Sequence, residues 1–177
     1  MKLGPFAAAV AFPFVFAASG CDTRYSQTSP NDSRGPFSSS GTTRITTPLP
    51  KEGFRASIVA ADAPAKLRAG QMAIISAHVK NISTSVWPAL GDDDARYAIT
   101  LRNRWLKGAA NEVVNDLDGG ASLPHDVRPG EEVTLMITVT APKDPGKYVL
   151  ELDMVQEQVT FFHEQGSQSA RVNVRVE

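Results

Sequence analysis

An all-β sandwich is the fold class that the residues beyond Phe54 predict, on three observations. Apolar side chains recur at every second position in short runs. Turns bearing Pro and Gly separate those runs at spacings usual for two stacked sheets, and no long amphipathic helix interrupts them. With 177 residues, the chain has room for one such core once its N-terminal segments are set aside. A domain of that size buries most of its apolar surface.

The strands follow in order. Ala56–Ala60 is the first, and Pro64 interrupts it in the manner of an edge strand that changes sheets. Met72–Asn81 is the second, with Ala73, Ile75, Ala77 and Val79 turned inward. Residues 97–106 form a third, placing Ile99, Leu101 and Trp105 on one face and Arg102 and Arg104 on the other. A weaker segment at 112–114 leads to Asp118-Gly119-Gly120, whose composition predicts a turn, and to an irregular Leu123-Pro124. Glu132–Thr140 alternates cleanly, with Val133, Leu135, Ile137 and Val139 inside. Residues 148–156 repeat the pattern with Tyr148, Leu150, Leu152 and Met154, and the last strand does so with Val172, Val174 and Val176. About seven strands in this order predict an Ig-like Greek-key β-sandwich.

Asp144-Pro145-Gly146-Lys147-Tyr148 sharpens that expectation because it resembles the tyrosine corner of Ig-type sandwiches, in which the hydroxyl bonds back to nearby backbone. Two residues on, where antibody domains place a disulfide cysteine, stands Leu150, expected to pack against Ala77 or Ile75. The chain has a single cysteine, which excludes an internal disulfide. The fold must therefore stand on packing.

That cysteine has a different setting. Lys2 supplies a positive n-region, and residues 6–18 are apolar but too short for a permanent membrane helix, the signature of a signal peptide. Ala18-Ser19-Gly20 lead into Cys21, which resembles the lipobox cut by the bacterial lipoprotein signal peptidase, with Ala18 where Leu is usual. The resemblance implies a diacylglyceryl thioether on Cys21 and an acylated N-terminus, enough lipid for a stable membrane anchor. Asp22 resembles the inner-membrane retention signal of enterobacterial lipoproteins, with the outer membrane as the alternative. The expected location is the cell envelope, lipid-anchored and facing the periplasm.

Residues 23–53 are rich in Ser, Thr, Pro and Gly, and scattered apolar residues such as Phe37 and Ile45 have no period. Such a stretch cannot bury enough surface to offset its ordering entropy, so a disordered linker of roughly 30 Å reach is expected. Arg24, Arg34 and Arg44 are too far apart for a polybasic lipid patch. The expected organisation is a signal peptide over 1–20, a lipidated N-terminus and linker over 21–53, and the sandwich over 54–177.

Several segments together resemble one group: Asn81-Ile82-Ser83 with Val86-Trp87-Pro88, Leu101 through Trp105-Leu106, Leu123-Pro124, Pro129-Gly130-Glu131, and Leu152-Asp153-Met154-Val155-Gln156-Glu157. They look like the Ig-like accessory domain appended to some bacterial glycosyltransferases and methyltransferases of polysaccharide synthesis. More distantly they resemble the tryptophan-rich Ig-like domain of an autophagy receptor. The resemblance implies an appendage that binds or scaffolds, and it covers nearly all of residues 54–177. Phe161-Phe162 replaces the group's Trp-Phe pair, and Asn103 stands where an aromatic is common.

Trp87, Phe161 and Phe162 fall near strand ends, where aromatics either stack on a sugar or anchor a protein partner, or else plug the open end of the sandwich. Arg102 and Arg104, with Glu151, Asp153, Arg171 and Arg175, alternate onto one sheet face. They form either a polar recognition surface or a ladder of cross-strand ion pairs. Asp92-Asp93-Asp94 lacks the regular ligand spacing of a calcium loop, and His78, His125 and His163 carry no paired zinc motif. Asp116, Asp118, Asp153 and Glu157 are the carboxylates a glycosidase would draw on, but nothing around them selects an acid and a base. No nucleophile elbow, Walker loop or dinucleotide fingerprint is present, so neither an enzyme nor a cofactor is expected. With 18 basic against 19 acidic residues and no like-charge block, nucleic acid is not an expected partner. The expected function is a non-enzymatic envelope module that binds or assembles, linked to surface polysaccharide. The alternative is a structural or chaperone-like lipoprotein holding another envelope protein.

Overall fold

The computed structural model describes residues 44 and 46–177; Cys21, the signal-peptide residues and most of the linker lie outside the described residues. Among the described residues nine strands follow in order: β1 (Ala56–Ala60), β2 (Lys66–Leu67), β3 (Met72–Asn81), β4 (Ile99–Lys107), β5 (Glu112–Ser122), β6 (Glu132–Thr140), β7 (Gly146–Gln156), β8 (Thr160–Phe161) and β9 (Ala170–Val176). Seven of them exceed two residues, so the strand count expected from the sequence stands. One sheet has the order β1-β3-β6; the other runs β2-β9-β7-β4-β5, with β8 on β7. The chain leaves the first sheet for β4 and β5, returns for β6 and crosses again for β7 and β9. This alternation is the Greek key of an Ig-like sandwich. Pro64 lies where expected, between β1 in the first sheet and β2, which pairs parallel with β9 in the second.

The inward sets meet as the period-two pattern requires. Ile75, Ala77 and Val79 from β3 and Val133, Leu135, Ile137 and Val139 from β6 share one buried cluster with Ile99, Leu101 and Trp105 from β4 and Leu150, Leu152 and Met154 from β7. Tyr148 completes its corner by donating its hydroxyl proton to Asp144 O at 2.8 Å. Its ring meets Trp105 edge-on at 6.3 Å. Leu150, at the cysteine position, is fully buried in the same cluster as Ile75 and Ala77.

Three sequence expectations need correction. Asp118-Gly119-Gly120 is not a chain-reversing turn, because β5 continues across it. Its register with β4 jumps from Arg102↔Gly120 to Arg104↔Asp116, so Leu117, Asp118 and Gly119 bulge opposite the single residue Asn103. Asn103 is buried in that gap and accepts the Gly119 N–H at 2.8 Å, while its amide donates to the Asp118 carboxylate. The bulge bends β5 toward β6: Asp118 accepts the Thr140 N–H at 2.6 Å, and a Cβ on Gly119 would lie 1.9 Å from Thr138 O. Turn-forming composition thus served a close backbone approach between the two sheets. The third strand likewise starts at Ile99 rather than Tyr97, whose φ of 71° is incompatible with a strand.

The third correction concerns the domain boundary. Leu49 is buried and donates its N–H to Gln156 Oε1 at 3.0 Å, and a 3-10 turn over Lys51–Gly53 carries Gly53 into the interior. The folded part therefore begins ahead of Phe54. The signal was weak because one leucine among Pro, Lys and Gly has no period to reveal it.

Truncation of Leu150 to Ala is expected to cost about 2–5 kcal/mol in urea unfolding, since nothing covalent backs up that contact. Asn103→Ala is expected to cost about 1–3 kcal/mol by stranding the Gly119 N–H and the Asp118 carboxylate. Unchanged unfolding midpoints would contradict the roles given to these two residues.

Candidate functional site

The loops at one end of the sandwich, 82–98, 123–131 and 157–169, meet the segment before β1. Asn81 organises this end. Its amide donates to Ser85 O (2.8 Å) and Val127 O (2.9 Å), and its carbonyl oxygen accepts from Ser83 N (2.9 Å) and Ser83 Oγ (2.7 Å). The Asn81-Ile82-Ser83 motif is thus a side chain that satisfies a turn, and the turn delivers Trp87 inward.

Trp87 and Phe162 are both 0% exposed. Phe162 meets Phe54 edge-on at 5.1 Å and Trp87 at 5.2 Å, and the indole N–H of Trp87 donates to Gly53 O at 2.9 Å. The two rings close the end of the core and cannot stack on a ligand, which removes them as binding candidates. Phe161 is half-buried under the Arg104 guanidinium, 4.6 Å from its ring centre. Its aromatic face is occupied by the protein itself.

The polar face of the larger sheet forms as alternation predicts. Arg104, Glu151 and Arg171 stand in register across β4, β7 and β9. Arg104 donates Nε–H to Glu151 Oε2 at 3.0 Å, while Arg171 Nε (3.0 Å) and Ser169 Oγ (2.7 Å) donate to Oε1. Glu151 is buried beneath these partners, so this part of the face is a sealed ladder. Its burial opposes ionisation, but the bonds from Ser169, Arg104 and Arg171 together hold the carboxyl below its usual range.

Beside the ladder, Asp153 is buried. Its Oδ2 lies 2.7 Å from His163 Nδ1 and accepts the His163 N–H at 3.1 Å, while Oδ1 is buried with no hydrogen-bond partner among the described residues. Desolvation pushes the Asp153 carboxyl up despite the histidine. Arg104 Nη2 lies 3.2 Å from His163 Nε2, so the imidazole bridges Asp153 and Arg104. None of the four carboxylates singled out for hydrolysis is arranged as an acid–base pair. Asp118 braces the bulge, Asp153 holds His163, Glu157 holds Arg102, and Asp116 is exposed on β5.

A cleft of about 370 Å³ opens beside Arg102, between loops 89–98 and 157–158. Thr100, Arg102 and Glu157 line it, with Leu90, Ala95 and Gln158. Ala95 and Gln158 hold φ of 58° and 59°, left-handed backbone that is uncommon outside glycine. Sequence reasoning found Arg102 by alternation but missed the cleft, which depends on loop conformation. Among the described residues, no group of three or more His, Cys, Asp or Glu is placed to hold a metal ion.

The two carboxyls with opposite shifts give opposite pH dependences. Glu151, held below its ordinary value of 4.5, contributes stability that is present above that value and lost as the pH falls. Asp153, raised above 3.8, contributes stability below that value that is lost as the pH rises through its folded-state pKa. Asp153→Asn is therefore expected to gain stability relative to the unaltered protein as the pH goes from about 4 to 7, and Glu151→Gln to lose it. Urea unfolding at both pH values checks this, and parallel pH profiles for all three proteins would contradict it.

No family model matches the chain, and no curated protein does. Among solved structures, a β-glucosidase from Listeria innocua in complex with isofagomine is similar at 14% identity and a TM-score of 0.44; the match covers 69% of this chain but only 16% of the enzyme. The CARDB domain of a Pyrococcus furiosus protein in complex with di-metal ions is similar at 16% identity and a TM-score of 0.41, with 69% of this chain and 90% of that one covered. At these TM-scores neither the enzyme's activity nor the archaeal domain's metal ions carry over; the chain is an Ig-like β-sandwich.

Proposed function

We propose that the chain is a non-enzymatic cell-envelope lipoprotein, anchored through Cys21, that acts as an assembly module by docking another envelope protein on the outer face of the β1-β3-β6 sheet. One observation carries the choice of a protein partner over polysaccharide. On that face Met72 (70% exposed), Ile74 (64%), Met136 (59%) and Val59 (56%) lie open to solvent. The register puts Met72, Ile74 and Met136 on successive rows of β3 and β6, with Val59 one strand away across Ser76 and His78. A contiguous exposed apolar patch is a mark of an interaction surface.

The charges on this face select the partner further. Lys80 and Glu132 stand opposite one another at one end and offset each other. The partner strip is therefore apolar and uncharged, since neither an anionic glycan nor an acidic protein would find a complementary surface. Trp87 and Phe162, the aromatics that would serve a sugar, are inside the core. The anchor and the linker expected ahead of Leu49 fit a module that works near, but not on, the membrane.

A photocrosslinking residue placed at Val59 in the full-length chain, in living cells, tests the proposal. A single adduct with a distinct protein is expected, weakened about thirtyfold or more by Ile74→Lys, with the melting temperature unchanged because residue 74 is exposed. An adduct of twice the chain's mass, lipid adducts alone, or an adduct indifferent to Ile74→Lys would overturn it. The anchor has its own check: mass spectrometry of the mature N-terminus should show diacylglyceryl-modified Cys21, and a free thiol there would contradict it.

A further inference from the structure

The cleft at the loop end is independent of the docking face and lies on the other sheet. Its central feature is a carboxylate held by one oxygen. Glu157 Oε1 accepts from Arg102 Nε (2.9 Å), Arg102 Nη2 (2.7 Å) and the Thr100 hydroxyl. Among the described residues Oε2 takes no bond, and it is not buried, so it reaches solvent. Among the described residues Arg102 bonds through Nε and Nη2 only, and its Nη1 donors lie over Gly120 without an acceptor. The Glu157 backbone is fixed as well: its N–H donates to Ala98 O at 2.9 Å, and its carbonyl accepts the Tyr97 N–H at 3.0 Å. A rigid acceptor thus stands beside a rigid donor, both oriented before any ligand arrives.

The walls are equally defined. Asp92 closes the 91–96 loop by accepting the N–H groups of Asp94 (3.1 Å) and Arg96 (2.9 Å), and Gln158 donates to Asp94 O at 3.3 Å. Leu90, exposed with Ala89, Ala95 and Ala98 nearby, gives the cleft an apolar side. Charge decides the ligand class. Both guanidinium groups of the lining are already matched, Arg102 by Glu157 and Arg44 by Asp93, so no surplus cation attracts phosphate or carboxylate. A divalent cation would need several converging oxygens; Asp92 Oδ1 is committed to the loop, Oδ2 faces Arg96 Nε at 3.7 Å, and no three ligating side chains converge among the described residues.

We propose that this cleft binds a neutral saccharide, with Glu157 Oε2 accepting from one ring hydroxyl, Arg102 Nη1 donating to another, and Leu90 against the C–H face of the ring. A polyhydroxyl ring matches an adjacent donor and acceptor of no net charge, and a volume near 370 Å³ is within the range of small-ligand clefts, roughly 300–1,000 Å³.

Saturation-transfer NMR on the full chain tests this, with D-glucose, D-galactose, D-mannose and N-acetyl-D-glucosamine as probes at about 10 mM each. At least one should receive saturation, with its affinity reduced about tenfold in Glu157→Gln, where the free acceptor becomes a donor. Leu90→Ser, at an exposed position, should weaken the same sugar and decides the matter if Glu157→Gln does not fold. Ile74→Lys should leave the signal intact, which separates this site from the docking face. Silence from all four sugars, equal binding by both cleft variants, or displacement by inorganic phosphate would overturn the proposal.

Discussion

Two sheets in this protein are held face to face by side chains alone. In antibody domains a disulfide spans the space between the sheets, whereas here Leu150 sits at that position among Ile75, Ala77 and Trp105. Each aliphatic group buried there contributes roughly 1.5–3 kcal/mol by leaving water, and the contribution depends on close fit because a cavity is not refilled. The polar fixtures matter for a related reason: they let the chain bend where apolar packing alone would leave it straight. The Tyr148 hydroxyl on Asp144 O turns the chain into β7, and Asn103 in the β5 bulge brings Asp118 and Gly119 against β6. A sandwich without a covalent strut closes its edges in this way.

The same economy explains the distribution of polarity on the surface. The larger sheet carries its arginines and acids opposite one another, and Arg104, Glu151 and Arg171 satisfy each other so completely that Glu151 is buried. The smaller sheet shows the reverse, with methionine, isoleucine and valine open to water on its outer face. A cost of that kind is tolerated where something covers the surface in use. The two faces of one sandwich therefore differ in what they can do, and the loop end adds a third surface whose donor and acceptor are already oriented.

Strand positions were legible from the sequence because inward residues repeat every second position, and β3 and β6 show that period over nine residues or more, whereas β7, central in its sheet, is buried on both faces from Leu150 onward. The tyrosine corner was legible because its turn residues and its tyrosine lie close together in the chain. What escaped was whatever depends on contacts distant in sequence. Gly119 and Gly120 carry the composition of a turn, and only the approach of Thr138 and Arg102 reveals why glycine is needed there. Trp87 and Phe162 occupy loop positions that suit a binding site, yet burial depends on Phe54 and Gly53, more than thirty residues before Trp87. Arg102 was legible as an outward residue; the free oxygen of its partner Glu157 was not.

Native-state hydrogen exchange in excess reductant tests the packing account most directly. The backbone amides of Ile75, Leu135, Trp105 and Leu150 should exchange only through global unfolding, with a common opening free energy equal to the stability from denaturant. The amides of β2 and β8 should open earlier. If the four core amides exchange more readily than those short strands, or lose protection when reductant is added, the sheets are not held together by the contacts described.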